Sequence, residues 1–189
     1  MHNKLPAFFL FIDVFHKEHI RKLDKKIAII YRNYSVKLDK ELVLKIKSFC
    51  KRDGRKFFLS NNFKLAVKLD LDGVYLPSFN KTLNINGINK KKKFIVIGSA
   101  HSINEIKVKE KQGAKLIFIS PLFKTKKYTK FLNPVKFNML ASGTNKKVIA
   151  LGGITSRNIN KLKMIRSYGF AGISYFKNND KIDIKHEKN

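Results

Sequence analysis

A double glycine, Gly152 and Gly153, is the clearest chemical signal in the sequence, and it directly follows the apolar run 148–151. Glycines at the end of a strand let backbone N–H groups approach an anion closely, because no Cβ obstructs the approach. The amphipathic stretch 157–168 comes next, and a helix there would direct the positive end of its dipole at that anion. The pattern predicts an oxyanion or phosphate site, with a simple tight turn as the alternative.

A serine and a histidine follow another apolar run, 94–99, in the sequence GSAHS. Histidine side chains titrate near neutrality when unperturbed, which makes a histidine such as His101 a candidate general acid or base; a hydrogen-bonded structural histidine is the equally weighted alternative. Ser102 and Glu105 have the spacing of a helix capping box. We therefore expect Ser99 and His101 to lie where a strand passes into a helix.

Two further candidate spots follow apolar runs. Arg32 ends the run IAIIYR, and a charge inside a protein needs a partner, which an anionic ligand or Asp13 would supply. Tyr31 and Tyr34 are expected to line the same opening. The segment 120–125 offers hydroxyl groups and a lysine that could hold an anionic part of a substrate.

Eight short apolar runs position these residues, and amphipathic stretches separate most of the runs. Continuous apolar strands indicate a sheet covered on both faces, and intervening helices indicate parallel βαβ units. Eight such units close into a (β/α)₈ TIM barrel, with a doubly wound open sheet as the competing architecture. Barrels often bind phosphate between their seventh and eighth loops, so Gly172 joins Gly152 and Gly153 as a candidate. The predicted strands are 7–13, 27–32, 57–60, 73–76, 94–99, 116–120, 148–151 and 172–175.

Amphipathic patterns predict helices at 14–23, 42–51, 63–69, 103–112 and 157–168. Two polar segments interrupt the rhythm. In 81–93, which ends in a run of four lysines, we expect the helix to be short or absent, and 124–134 is expected to be a long functional loop. We interpret the chain as one domain, 1–176, followed by a polar, flexible tail, 177–189.

The amino-acid composition and charge indicate which partners and which cellular compartment to expect. The 189 residues include 41 Lys and Arg but only 13 Asp and Glu, for a net charge of +28. Lysine greatly outnumbers arginine and no nucleic-acid motif is evident, so we do not expect nucleic acid as a partner. Cys50 is the only cysteine and is predicted to be a buried, inert thiol. No apolar run approaches the roughly 18–20 residues of a membrane span, and we expect a cytoplasmic protein with no membrane partner.

The order and content of these segments resemble the thiamine phosphate synthase/thiazole tautomerase family from about residue 27 to 176. The matching blocks are YR at 31–32, LSNNFKLAVKLDLDGVYLP at 59–77, IGSAHS at 97–102, ISPLFKT at 119–125 and VIALGGITSRNI at 148–159. The resemblance implies a (β/α)₈ barrel that binds phosphorylated small molecules. In this family, the synthase joins a thiazole phosphate to an aminomethylpyrimidine diphosphate with Mg²⁺. The tautomerase isomerises a thiazole carboxylate phosphate without a metal, using a histidine.

Five positions take roles from this resemblance. Arg32 matches the arginine near the pyrimidine diphosphate, and Ser99 matches the serine after the fifth strand. His101 matches the histidine that is the tautomerase's catalytic candidate. Thr125 matches a threonine that contacts the thiazole portion, and Gly153 matches a glycine that cradles the thiazole phosphate.

The departures from the family concern the metal. Synthases usually carry an acidic Mg²⁺ ligand in the block matched by Asn61 and Asn62, and a second one where Asn80 stands. Both positions are neutral amides here, and Mg²⁺ favours charged oxygen ligands, so the resemblance implies a weakened Mg²⁺ site. We expect Asn61 and Asn62 to contact substrate instead. The lysine expected two residues after the arginine is replaced by Tyr34.

These observations favour a synthase-like transferase, in which Arg32 and nearby lysines stabilise the departing diphosphate. One alternative is a metal-independent, tautomerase-like isomerase with His101 as the proton shuttle. The other is a non-catalytic protein that binds phosphorylated ligands or nucleic acid.

Overall fold

The computed structural model describes residues 5–83, 93–125 and 129–178. Within them, eight parallel strands form a closed barrel in which each strand pairs with its neighbours in chain order and β1 pairs with β8. The predicted (β/α)₈ barrel is confirmed, and the open sheet is wrong. The strands are β1 Phe8–Ile12, β2 Ile27–Tyr31, β3 Phe57–Ser60, β4 Gly73–Leu76, β5 Ile95–Ala100, β6 Leu116–Ile119, β7 Lys147–Leu151 and β8 Gly169–Gly172.

Helices follow most of the strands and pack on the outside of the barrel. They are α1 Lys17–Lys22, α2 Lys40–Arg52, α3 Phe63–Lys68, α4 Ile103–Lys111, α5 Asn133–Ser142, a 3₁₀ helix Ile159–Met164 and α6 Ser174–Asn178. Residues 77–83 contain no helix, and residues 84–92 of the predicted interruption lie outside the described part of the chain. No helix among the described residues is long and apolar enough to cross a bilayer.

Side-chain caps explain where three of these helices begin. Asp39, Asn62 and Ser102 each stand at the N-cap and accept a backbone N–H from the first turn. The predicted capping box of α4 is confirmed in its Ser102 half only. Glu105 accepts the N–H of His101 (2.6 Å) rather than that of Ser102. The first turn of α4 is thereby tied to the histidine.

Strand alternation divides the apolar side chains into two cores. Residues such as Phe9, Phe58 and Phe118 point inward and fill the barrel, and their neighbours point outward and pack under the helices. Cys50 belongs to the outer core, where it is 1% exposed, so the prediction of a buried thiol is confirmed. The same alternation decides which polar residues at the carboxyl ends of the strands face the barrel axis.

The eighth strand lies three residues earlier than the sequence predicts. β8 ends at Gly172, and the predicted strand 172–175 is wrong because Ser174 begins α6. Tyr175 and Phe176 are apolar because they pack from this helix onto the Phe170 ring, at centroid distances of 5.2 and 5.3 Å. An apolar run that short does not distinguish a strand from one turn of buried helix.

Helix α5 was not predicted, since its first residues fall in the segment interpreted as a polar loop. It begins at Asn133 with a proline in its first turn, and it buries only Phe137 and Ala141. The predicted helix 157–168 is realised as a shorter 3₁₀ helix. The proposed tail, 177–189, begins inside α6, and residues 179–189 lie outside the described part of the chain.

Candidate active site

The carboxyl ends of the strands form one polar rim. Ser60, Ser99 and Ser120 are buried and continue the inward register of β3, β5 and β6. Arg32 follows β2 in the same register, and its guanidinium carbon lies 4.5 Å from the centroid of the Phe11 ring. A cation above an aromatic face is held electrostatically, which fixes the guanidinium over the barrel core. The predicted Arg32 and Ser99 therefore lie on one opening.

Tyr75 lies on this rim, and sequence reasoning did not single it out. It is 2% exposed, and its ring packs edge-on against Phe11 and Phe118. Burial raises the pKa of Tyr75 to about 12, against the opposing effects of hydrogen bonding from Ser99 and the charge of Arg32. The phenol therefore stays protonated, and it is suited to donate a hydrogen bond to an anion. A tyrosine at an inward position of the apolar strand GVYL was the available signal.

A second tyrosine lies at the edge of the rim. The Tyr34 hydroxyl is 2.7 Å from the Ser60 hydroxyl, and the Tyr34 ring packs edge-on against Phe79. Burial raises the pKa of Tyr34, while the Ser60 hydrogen bond and the Arg32 charge lower it. The expectation that Tyr31 lines the same opening is wrong, because its register directs it into the outer core.

Asp13 is not the partner of Arg32. Among the described residues, no ion pair joins the two, and the Asp13 residue is exposed. The guanidinium instead neighbours Phe11 and Tyr75, neither of which neutralises it. Of the two partners that the sequence left open, an anionic ligand is the one that the geometry favours.

His101 lies just beyond β5, where a hydrogen bond orients its ring. Its Nδ1 is 2.7 Å from the carbonyl oxygen of Ser120, which directly follows the neighbouring strand β6. A carbonyl oxygen only accepts, so Nδ1 carries the proton and Nε2 is left as the acceptor. The side chain is exposed, and the arrangement is that of an oriented base at the mouth of the barrel.

The three candidate glycines lie together at the ends of β7 and β8. The register pairs Leu151 with Ala171, so Gly152 and Gly172 are the next residues on adjacent strands. Gly152 and Gly153 have φ values of +97° and +71°, in the region that side-chain-bearing residues rarely adopt. The chain therefore turns sharply over the end of β7, and the glycines permit it.

Gly153 and Gly172 differ in their surroundings. A Cβ on Gly153 would lie 2.6 Å from the carbonyl oxygens of Phe123 and Lys124, in the loop after β6. A Cβ on Gly172 would meet only the Cβ of Tyr175, at 3.8 Å. An added Cβ is therefore accommodated at Gly172 and not at Gly153.

The helix next to Gly172 is not the one that the sequence predicts. The 3₁₀ helix begins only at Ile159, and the Thr155 N–H is already bonded to the Asn158 side chain (2.9 Å). Segment 157–168 therefore forms a shorter 3₁₀ helix, and the prediction that its dipole is directed at an anion stays a prediction. Short helix α6 begins two residues after Gly172 instead, and barrels often bind phosphate between their last two loops and such an extra helix.

Two amides meet at the positions where the resemblance places metal ligands. The Asn80 Nδ2 donates to the Asn61 Oδ1 at 2.8 Å, and Asn61 adopts a left-handed φ of +56° at the end of β3. Asn62 is engaged elsewhere, since its Oδ1 caps α3 by accepting the Leu65 N–H (3.0 Å). Among the described residues, no group of three or more His, Cys, Asp or Glu is placed to hold a metal ion. These residues do not fit a Mg²⁺ ion held by protein carboxylates.

Thr125 is partly buried at the end of a described stretch, in the loop after β6. The loop is hydrogen-bonded to the glycine turn, since the Phe123 N–H donates to the Gly152 carbonyl oxygen at 3.0 Å. Residues 126–128 of the predicted functional loop lie outside the described part of the chain.

Comparison with known sequences shows which family this chain belongs to. The profile of the thiamine monophosphate synthase family matches residues 20–176. The chain belongs to this family. Its barrel, its glycine turn after β7 and its polar rim are therefore those of a thiamine monophosphate synthase family member.

Two relatives show how close the similarity is. A protein of Aquifex aeolicus (strain VF5), provisionally named thiamine-phosphate synthase 2, is 34% identical over 141 residues, which cover 72% of this chain and 74% of the relative. The thiamine-phosphate synthase of Helicobacter pylori (strain Shi470) is 30% identical over 134 residues, which cover 69% of this chain. The chain spans only 60% of that second relative.

Solved structures agree on the fold. A thiamine phosphate pyrophosphorylase from Pyrococcus furiosus matches with a TM-score of 0.73 over 89% of this chain and 85% of its own, at 19% identity. FabK from Thermotoga maritima matches with a TM-score of 0.67 at 14% identity, over 90% of this chain and 59% of its own. At such identities the likeness establishes the barrel alone.

Proposed function

We propose that this family member is a thiamine phosphate synthase-like transferase of thiamine biosynthesis. It joins a thiazole phosphate to an aminomethylpyrimidine diphosphate and releases diphosphate. The observation that carries the proposal is that one rim presents both a glycine turn and a fixed cation with a phenol donor. The turn is formed by Gly152, Gly153 and Gly172, and the second feature by Arg32 and Tyr75.

The glycine turn binds one substrate, and Arg32 with Tyr75 binds the leaving group of the other. Backbone amides at the ends of β7 and β8 hold the thiazole phosphate, and Thr125 contacts the thiazole ring. Arg32 and Tyr75 donate to the diphosphate, with Ser99 beside the phenol. The C–O bond of the pyrimidine methylene breaks, its electron pair leaves with the diphosphate, and the thiazole nitrogen supplies the pair for the new C–N bond. Donors fixed in place before the reaction stabilise the charge that develops on the leaving group.

A metal has a smaller part in this proposal than in other synthases. The Asn61–Asn80 pair is neutral and internally bonded, so it offers Mg²⁺ no carboxylate. Arg32 and the lysine-rich surface would supply the positive charge instead, and Tyr75 would add a hydrogen bond. The substrates are phosphorylated small molecules, and we place the reaction in the cytoplasm, where a free thiol such as Cys50 persists.

The experiment is direct synthesis. Purified protein is incubated with both substrates, with and without Mg²⁺, and thiamine phosphate is quantified by chromatography. We expect product formation that depends on both substrates. Absence of thiamine phosphate under both conditions would remove the proposal.

A second candidate, a metal-independent thiazole tautomerase-like isomerase, is favoured by the oriented His101. Its Nδ1–H is fixed on the Ser120 carbonyl, so Nε2 is available to move a proton. The variant His101→Gln should abolish isomerisation of a thiazole carboxylate phosphate while leaving binding of thiazole phosphate intact. Undiminished isomerisation in this variant would reject the role of His101.

A further inference from the structure

Lys109 is a buried cation that the proposed reaction does not use. It lies on α4 and is 0% exposed. Its Nζ donates three hydrogen bonds, to the carbonyl oxygens of Pro77 (2.7 Å) and Asn80 (2.6 Å) and to the Gln112 Oε1 (2.9 Å). A lysine is almost never fully buried unless its charge is compensated, and here every ammonium hydrogen has an acceptor.

Gln112 binds the same loop beside Lys109. Its Nε2 donates to the carbonyl oxygens of Asn80 (3.1 Å) and Thr82 (2.9 Å). Strand β5 makes room for the lysine, because a Cβ on Gly98 would lie 2.6 Å from the Lys109 Cδ. Lys109 of α4 and Gln112 at its C-cap therefore both bind the loop 77–82, which follows β4.

These contacts also fix the orientation of the Asn80 carboxamide. Its Oδ1 accepts from the Thr82 N–H (3.1 Å), within the loop, and from the Gln112 Nε2 (3.3 Å) at the end of α4. Its Nδ2 therefore points the other way and donates one hydrogen to Asn61. An amide nitrogen carries two hydrogens, and the second has no acceptor among the residues that the structure describes.

We propose that Lys109 and Gln112 are positioning residues that turn the N–H side of Asn80 toward the rim, so that this corner donates a hydrogen bond to a diphosphate. The inference rests on the proposed function and extends it to the end of the site that would otherwise hold a metal. In a synthase with carboxylates here, the corner attracts a cation; in this chain it favours the anion directly. Burial lowers the pKa of Lys109 to about 8, so at neutral pH the ammonium that holds the loop is retained.

The test uses Lys109→Met, which keeps the length of the side chain and removes its donors. We expect the KM for the pyrimidine diphosphate and the Kd for inorganic pyrophosphate, measured by calorimetry, each to rise about tenfold. The KM for the thiazole phosphate should stay unchanged, since its site lies at β7 and β8. The matched control is Lys107→Met, on the same helix, where the lysine bonds Glu110 and the Gly143 carbonyl instead.

A double-mutant cycle shows whether Lys109 acts through Asn80. Asn80→Ala should weaken pyrophosphate binding by a similar factor, and adding Lys109→Met to it should weaken binding no further. Additive effects, equal rises in both KM values, or a Lys109→Met variant that matches the native protein would each overturn the inference. Should Lys109→Met fail to fold, Gln112→Met provides the same test while keeping the ammonium.

The positioning role can be tested even if the proposed function is wrong. If the native protein makes no thiamine phosphate, hydrogen exchange still measures how firmly Lys109 holds the loop 77–82. Backbone amides in 78–83 should exchange faster in Lys109→Met while those of the barrel strands do not change. Unchanged exchange in 78–83 would reject the positioning role, whatever the chemistry of the site.

Discussion

At the scale of single residues, the rim glycines differ in how much room each leaves for an added methyl group. Gly172→Ala meets no close neighbour, so its unfolding free energy should change by less than about 0.5 kcal/mol. The methyl group would occupy the space proposed for the phosphate, so affinity for the thiazole phosphate should fall at least about tenfold. Calorimetric titration and thermal unfolding measure the two quantities.

Gly153→Ala is the matched comparison for Gly172→Ala. Its Cβ would clash with two carbonyl oxygens at a left-handed φ, so we expect a loss of about 1–3 kcal/mol in stability as well as in binding. Native affinity in Gly172→Ala would show that the phosphate lies elsewhere.

Tyr75 makes the second residue-scale prediction. Tyr75→Phe keeps the edge-on ring contacts with Phe11 and Phe118 but removes the phenol donor. If that donor stabilises the departing diphosphate, kcat for thiamine phosphate formation should fall about tenfold to a hundredfold. Tyr168→Phe is the control, since the Tyr168 hydroxyl bonds the Leu5 carbonyl at the opposite end of the barrel. Equal rates in the native protein and Tyr75→Phe would exclude the role.

At the scale of elements, the packing of α2 against the barrel can be tested through Cys50. Burial raises the pKa of this thiol to about 12, chiefly by desolvation. The reactive thiolate is therefore nearly absent at pH 8, and a disulfide reagent should label Cys50 only as the protein unfolds. Labelling as a function of urea should follow the loss of circular dichroism. Rapid labelling of the native protein would show that α2 is not packed as described.

The elements also show how far the sequence predicts the structure. Strands β1 to β7 and helices α1 to α4 were found because buried runs and amphipathic stretches have distinct periods. The same rule failed at 172–175, where a helix turn packs Tyr175 and Phe176 on Phe170 and is as apolar as a strand. It failed for α5 because that helix buries only two residues.

The candidate site was predicted where a motif lies on one segment. The glycine turn, Arg32, Ser99 and His101 all follow strands in the sequence, and the barrel brings their strand ends to one rim. The Asn61–Asn80 pair and the Lys109 contacts join segments far apart in the chain, so no local pattern shows them. Tyr75 stood inside an apolar run, and only the inward register of β4 shows its place.

At the scale of the whole molecule, the charge of +28 attracts anionic substrates of every kind. Because lysine supplies most of it and no basic motif is present, we expect no dedicated nucleic-acid function. Duplex DNA at physiological salt should bind only in the non-specific range, with Kd about 10⁻⁶–10⁻⁴ M. A salt titration of fluorescently labelled duplex measures this. Nanomolar affinity with a steep salt slope would instead support a nucleic-acid-binding protein.

The most direct test of the account is a crystal structure of the protein soaked with the thiazole phosphate. The phosphate should lie against the backbone amides at Gly152 and Gly153 and beside Gly172 on the adjacent strand, with the thiazole ring toward Thr125. Phosphate density at any other place, such as the amino-terminal face of the barrel, would contradict the proposed site.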